Sequence, residues 1–405
     1  MGRQSRMHMG AAGHRAARWI AAALTVVCVV ACSSDDSAGG PDVIGPATPG
    51  GMQPPTPAAP GVTPGDDGTQ DAPPSTTMPP AVSMPGDDGV PASTGDDDGS
   101  AGTGSAGDGD SIDMPQPAVP TVATLYWLDI MGNGVYRSEE SDFGASERIV
   151  RTNTAPDGVA VDVAGGKVYW SNMGSLLGTG GGTLQRANLD GSGVETIVPS
   201  GTTRTPKQIQ LDLVNGHVYW CDREGAKVWR VGLDGSNPET LVSEHGFTEL
   251  VGVALDVEMG HVYFTDRIER KILRMGLDMP AGEDHATRTD IEELFIFASG
   301  AMPIDLDVDL EARQLYWTDR QLGTVHRAGM DMPAGESPSA RSDMETLVDG
   351  LGDPIGLSLN HEDGTMFYTE LGGDVWQANL DGSSPRTVAS SGSATGVAIA
   401  HLPEP

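Results

Sequence analysis

The sequence predicts an all-β domain, a six-bladed β-propeller, over residues 120–405. Three observations predict this fold. First, an aromatic sequence element recurs six times. Second, predicted strand segments precede and follow the copies of this element in a constant order. Third, the last predicted strand segment in the chain has no aromatic element after it. Radially repeated blades of four strands have periods of about 40–50 residues.

The aromatic element consists of an aliphatic residue, two aromatic residues, a variable residue and an acid or amide. Successive copies start 43 to 53 residues apart, and their central aromatic residues are Tyr126, Tyr169, Tyr219, Tyr263, Tyr316 and Phe367. Such a continuous apolar run is expected of a strand that is packed on both faces. The acid that ends it suits the end of a strand, where a carboxylate accepts backbone N–H groups.

Other predicted strand and turn segments recur with the same spacing as the aromatic element. A strand ending in a polar residue, such as 253–256, comes before five of the copies, and a strand such as 228–230 follows. Asp-Gly pairs such as Asp234-Gly235 then supply the positive φ of a tight turn. The first copy of the aromatic element has no predicted strand before it to form the inner strand of its blade. Conversely, the predicted strand 396–400 has no aromatic element after it. The C-terminal strand is therefore predicted to close blade one.

These repeats resemble the YWTD repeats of the low-density lipoprotein receptor class (class B repeats). The resemblance extends from about residue 120 to 401 and implies a six-bladed propeller, which mediates protein contacts in the receptor family. Copies two and six depart from the pattern with Tyr-Trp-Ser-Asn and Phe-Tyr-Thr-Glu. These changes are expected to alter only local hydrogen bonds.

The N-terminus has the pattern of an export signal. A basic segment precedes the apolar run 19–31, which is too short to span a bilayer. The run ends in Val29-Val30-Ala31-Cys32, which resembles the lipobox of bacterial lipoproteins. The resemblance implies a lipoprotein signal peptide over 1–31, lipidation at Cys32 and, with Ser33 next, an outer-membrane or cell-surface location. An ordinary signal peptide cleaved near Ala31 is the alternative.

Residues 32–119 are predicted to be a disordered linker. The segment is rich in Pro, Gly, Ser and Asp, and it contains almost no aromatic residues. Such a composition cannot bury enough apolar surface to offset the ordering entropy. Its Asp-Gly clusters could hold Ca²⁺ weakly, but a solvated acidic linker is the simpler interpretation.

The composition argues against several function classes. The formal net charge is −33, which does not suit a nucleic-acid-binding face. The sequence contains no G-x-S-x-G, H-E-x-x-H or P-loop motif. Cys221 takes the variable position of its repeat and is predicted to be a buried structural thiol. The repeat acids recur in almost every blade, so we assign them a structural role.

Three successive blades place an arginine directly after the repeat acid, at Arg223, Arg267 and Arg320. With Lys207 they form a candidate cationic face at one mouth of the channel, suited to a protein partner, an acidic peptide or a small anionic ligand. The alternative is that these cations pair with neighbouring acids such as Asp157, Glu249 or Asp305.

Two functions follow from these observations. The first is an anchored binding, adhesion or scaffold propeller without catalytic activity or a cofactor. The second is a Ca²⁺-dependent, lactonase-like hydrolase. It requires carboxylates that converge at the channel mouth, and the candidates are Asp157, Glu249, Asp305 and Asp353.

Overall fold

The computed structural model describes residues 120–152, 154–175 and 180–404. Their strands form six antiparallel sheets of four strands each, so the predicted all-β six-bladed propeller is confirmed. Each inner strand contacts the inner strands of both neighbouring blades, and the ring is closed. In the part of the chain described, none of the helices has the length and apolar character that a membrane span requires.

The strands of the first three blades, from the channel outward, have the following bounds. Blade one contains β24 (Ala394–Pro403), β1 (Thr121–Asp129), β2 (Gly134–Glu139) and β3 (Glu147–Arg151), with a short 3-10 helix at Glu140–Asp142. Blade two contains β4 (Pro156–Asp162), β5 (Lys167–Asn172), β6 (Thr183–Asn188) and β7 (Glu195–Val198). Blade three contains β8 (Pro206–Asp212), β9 (His217–Asp222), β10 (Lys227–Gly232) and β11 (Glu239–Val242).

The remaining blades repeat the same order. Blade four contains β12 (Leu250–Asp256), β13 (His261–Asp266), β14 (Lys271–Gly276) and β15 (Glu292–Ile296). Blade five contains β16 (Pro303–Asp309), β17 (Gln314–Asp319), β18 (Thr324–Gly329) and β19 (Glu345–Val348). Blade six contains β20 (Pro354–Asn360), β21 (Thr365–Glu370), β22 (Asp374–Asn379) and β23 (Arg386–Ser390).

The ring closes as the sequence predicts. Strand β24 pairs antiparallel with β1, with Thr121 opposite Pro403 at one end and Asp129 opposite Ala394 at the other. Beyond the strand, the Glu404 N–H donates to the Pro120 carbonyl oxygen at 3.0 Å. Blade one is therefore built from both ends of the described chain.

The aromatic pair of each second strand packs on both sides of its blade. Tyr219 lies in a cluster with blade four residues such as Phe264, whereas Trp220 lies in a cluster with blade two residues such as Tyr169. Both side chains are almost completely buried. Each buried aromatic side chain removes about 150–250 Å² from water. The repeat thus supplies buried contacts with both neighbouring blades.

The repeat acid binds backbone N–H groups at the end of the second strand, as predicted. Asp222 accepts from the Arg204 N–H at 2.8 Å, the Thr205 N–H at 2.9 Å and the Gly225 N–H at 3.1 Å. In blade two, Asn172 instead donates its amide to the Thr183 hydroxyl at 3.1 Å. The departure in that copy changes its local hydrogen bonds.

The residue before the acid ties one blade to the next. The Thr265 hydroxyl accepts from the Gly252 N–H at 2.8 Å and donates to the Ile304 carbonyl at 2.9 Å, across the boundary between blades four and five. In blade three the Cys221 thiol is directed at the Gly252 carbonyl at 3.2 Å. Cys221 is fully buried, and burial raises the pKa of its thiol well above the ordinary value. The predicted structural thiol is confirmed.

We expect Gly252→Ala to destabilise the propeller by about 1–3 kcal/mol, because overpacking forces the backbone to shift. An added Cβ at Gly252 would clash with the Ile304 carbonyl oxygen of the next blade. Gly372→Ala is the matched control, since a Cβ at that position meets no atom within 4 Å. Urea unfolding measures both variants. Equal losses of stability at the two positions would contradict the close approach of the blades.

An arginine on the third strand also links neighbouring blades. The Arg186 guanidinium donates to the Leu233 carbonyl of the next blade at 2.9 Å and to Glu195 of its own fourth strand at 2.9 Å. The same links to a carbonyl of the next blade recur at Arg137, Arg230, Arg274 and Arg327. These links join the outer parts of the blades, away from the channel.

Candidate functional site

The candidate site lies on the upper face, which we define as the face where second strands end and inner strands begin. The residue after the repeat acid donates its backbone N–H to the carbonyl of the residue directly before the inner strand. Arg223 reaches the Thr205 carbonyl at 3.0 Å, Arg267 the Glu249 carbonyl at 3.1 Å and Arg320 the Met302 carbonyl at 2.9 Å. This turn places the three arginines on one face, each beside the start of its own inner strand.

Lys207 is the second residue of β8 and lies at the boundary with blade two. Its Nζ is 2.7 Å from Asp157 Oδ1, and the two side chains are only 10% and 2% exposed. Burial lowers the pKa of Lys207, the Asp157 carboxylate opposes that shift, and the charges of Arg223 and Arg267 add to it. Lys207 and Asp157 therefore form a buried ion pair at the upper mouth of the channel.

The arginines are paired with acids. Arg223 Nε lies 2.7 Å from Glu224 Oε1, Arg320 Nε lies 2.9 Å from Asp353 Oδ1, and Arg267 binds Glu249. These pairs remain partly exposed to solvent. The structure thus brings the four predicted cations to the upper face with one carboxylate beside each, and the cluster carries no net charge.

The four carboxylates considered for Ca²⁺ have other partners. Asp157, Glu249 and Asp353 are bound to Lys207, Arg267 and Arg320 respectively. Asp305 accepts the backbone N–H groups of Leu306 and Leu357, each at 2.9 Å. Among the described residues, no three Asp, Glu, His or Cys side chains are grouped as metal ligands. In this arrangement they do not fit a Ca²⁺ cage, and the hydrolase alternative remains an untested prediction.

The upper mouth also has an apolar side, which the sequence analysis missed. Val251, Ile304 and Ile355, the second residues of the next inner strands after β8, pack together with Met302 and Leu371. These positions correspond to that of Lys207 in their own strands. Aligning the inner strands by the repeat would have shown this change from charged to aliphatic residues.

Exposed aliphatic residues flank the arginines. Ile268 follows Arg267 and is 37% exposed, and Leu322 lies two residues after Arg320 and is 53% exposed. Met131 is 64% exposed in the corresponding loop of blade one. The upper face therefore combines partly exposed guanidinium groups with apolar side chains. The predicted signal peptide, Cys32 and the linker lie outside the described residues.

The chain has clear relatives. It is 36% identical over 267 residues to the low-density lipoprotein receptor-related protein 1 of Pyricularia oryzae, a match that covers 60% of this chain and 84% of the relative. It is 30% identical over 323 residues to the 3-hydroxyacyl-CoA dehydrogenase-like protein LAM1 of Cochliobolus heterostrophus, covering 71% of this chain and 67% of that protein.

A solved structure shows the same fold. A chain in the crystal structure of a nidogen/laminin complex superposes with a TM-score of 0.54 at 18% identity, covering 68% of this chain and 98% of that chain. No protein-family model matches the sequence. The repeats, the closed six-bladed ring and the similarity over most of the relative agree with one another. The chain therefore belongs to the family of low-density lipoprotein receptor-related YWTD β-propellers.

Proposed function

We propose that this protein is a binding or adhesion propeller of the cell envelope, without catalytic activity, and that its upper face takes up a protein partner. The observation that carries the proposal is the composition of that face, where three arginines from successive blades lie beside exposed aliphatic side chains. Arginine and large apolar side chains are typical of the residues that dominate binding energy in interfaces. The nidogen/laminin complex, in which a similar propeller occurs, supports a protein partner.

The ion pairs of the upper face suit exchange with a partner. Partly exposed pairs of this kind contribute only about 0–1 kcal/mol. An acidic segment of a partner can therefore replace Glu224, Glu249 or Asp353 at little cost. The arginines would keep a carboxylate in both states, and the partner would cover Ile268 and Leu322. A small anionic ligand would satisfy the arginines but would leave these aliphatic side chains exposed.

The test is site-specific photocrosslinking in the cells that produce the protein. We expect a photoreactive residue at Leu322 to yield protein adducts. The control position is Val194, which is exposed in the turn between β6 and β7, at the end of blade two away from the upper face, and it should yield none. Arg223→Ala, Arg267→Ala and Arg320→Ala combined should remove the adducts. Arg151→Ala, an exposed change on an outer strand, is the control. Adducts that persist in the triple variant would overturn the assignment of this face.

We also propose that Cys32 carries the lipid anchor. Several acyl chains on one cysteine hold a protein on a membrane, whereas one chain alone gives only marginal binding. We expect Cys32→Ser to move the protein from the membrane fraction to the soluble fraction, and Cys28→Ser, in the same apolar segment, to leave it in the membrane. Mass spectrometry of the mature N-terminus should show an acylated Cys32. An unmodified Cys32 would support the ordinary signal peptide instead.

A further inference from the structure

The lower face, opposite the upper face, carries an apolar groove between blades three, four and five. The groove has a volume of about 480 Å³, and its apolar walls are formed by Leu211, Val214, Leu255, Val257, Val308 and Leu310. Gln210 and Asp307 also line it. Both residues line the channel cavity of about 180 Å³ as well, so the groove and the channel adjoin at these side chains.

The rim of this lower-face groove is unusually apolar for exposed turns. In the turns that leave the inner strands of blades three, four and five, Val214 is 83%, Met259 60%, Leu213 49% and Leu310 43% exposed. The first position of these turns is aliphatic in the three blades, at Leu213, Val257 and Leu310, whereas it is His361 in blade six. The next position is glutamate in blades four, five and six. Scattered single apolar residues are ordinary on a surface, but a contiguous group beside a groove marks an interaction site.

The end of the groove nearest the channel holds the carboxylate of Asp307, which makes no ion pair among the described residues, although the charge of His361 acts on it from nearby. Asp307 accepts the N–H groups of Val308 and Leu359, each at 2.8 Å. Its burial raises its pKa to about 6. Gln208 lines only the adjoining channel cavity, not the groove, and among the described residues its buried Nε2 has no hydrogen-bond partner. Asp307 is partly exposed, and both of its carboxylate oxygens accept backbone N–H groups, so a cation bound in the groove could reach it. Opposite charges at close range attract strongly where water is partly excluded.

We propose that the lower-face groove binds a segment of a partner protein that places a lysine or arginine side chain against Asp307 and packs aliphatic side chains on the rim. The segment's cation would supply the missing counter-charge of Asp307. Its aliphatic residues would cover Val214 and Leu310. This surface is separate from the upper face and does not depend on the function proposed for that face.

The surface favours a basic protein segment over other occupants. Leu213 and Met259 are exposed but do not line the groove, so a small alkylammonium ion held in it would leave both uncovered. A second copy of this chain would carry the same net charge of −33 and would be repelled. Glu258 in the groove wall adds attraction for basic residues.

The test is selection of peptides from a random display library on the full-length protein. We expect the enriched peptides to combine lysine or arginine with neighbouring aliphatic residues. Synthetic copies should bind at least tenfold more weakly to Asp307→Asn and to Val214→Asp. Val194→Asp, the same substitution in an exposed turn of blade two that belongs to neither proposed surface, should leave their binding unchanged.

The other outcomes would overturn the proposal. Failure to enrich any peptide would do so, as would peptides that bind Val214→Asp and Asp307→Asn as tightly as the unchanged protein. A concentration-dependent dimer in sedimentation, abolished by Val214→Asp, would identify a second copy as the occupant. Calorimetric binding of hexylammonium as tight as that of the peptides would identify a small amphiphilic cation instead.

Discussion

Deleting residues 394–405 is expected to abolish the cooperative folding of the propeller. These residues include β24, whose Val397, Ala398 and Ile399 lie opposite the buried aromatic strand of blade one. The deletion would expose Trp127 and Tyr126, which are fully buried, and would leave the backbone of β1 unpaired on one side. The net stability of a protein is only about 5–15 kcal/mol, so it cannot absorb the loss of a central strand. Near-ultraviolet circular dichroism and urea unfolding measure the result.

Two further variants separate the loss of the strand from the loss of the chain end. Deleting only residues 404–405 should leave the unfolding midpoint nearly unchanged, because the hydrogen bond that Glu404 donates to Pro120 lies outside the strand. Moving residues 394–403 to a position before Pro120, joined by an Asn-Gly turn, should restore folding, because Pro403 lies opposite Thr121. A chain that lacks 394–405 and unfolds at the original midpoint would refute the closure.

Lys207→Met is expected to cost about 3–5 kcal/mol of stability, because removing one partner of a buried ion pair leaves the other charge uncompensated. Asp157 is the charge left behind, and its side chain is only 2% exposed. Its Oδ2 has no hydrogen-bond partner among the described residues even when Lys207 is present. Chemical unfolding at neutral pH measures the loss.

A double variant distinguishes this charge effect from lost packing. Lys207→Met combined with Asp157→Leu removes both charges, and it should recover most of the stability. The matched control is Lys271→Met in the more exposed pair with Glu293, where the side chains are 28% and 41% exposed and a loss below about 1 kcal/mol is expected. Equal losses at Lys207 and Lys271 would contradict the buried pair.

The fold was predictable because the repeat encodes it locally. A continuous run such as Val218-Tyr219-Trp220 identifies a strand buried on both faces, and six copies in step determine the number of blades. The ring closure could be predicted because the first aromatic element had no inner strand before it and the last inner-type strand had no aromatic element after it. These deductions need only spacing and hydrophobicity, since each blade contacts only its two neighbours.

The details of the candidate site were less predictable, because they depend on how side chains meet between blades. The sequence analysis offered the pairing of these cations with neighbouring acids as an alternative. It did not identify Glu224 as the partner of Arg223 or Asp353 as the partner of Arg320. Asp307 was missed because an acid within an inner strand has no sequence signal for its surroundings. The arginine links did have a signal, since Arg230 and Arg274 each follow the repeat tyrosine by eleven residues.

The pairing of β24 with β1 also determines how the ring responds to force. Pro120 and Glu404 lie side by side at one end of this antiparallel pair. A load that pulls these two residues apart acts across the strands and breaks their hydrogen bonds one after another, starting at Thr121 and Pro403. Such unzipping requires less force than sliding strands along each other. Blade one is therefore the mechanically weakest blade of the propeller under such a load, and it would open before the other five blades.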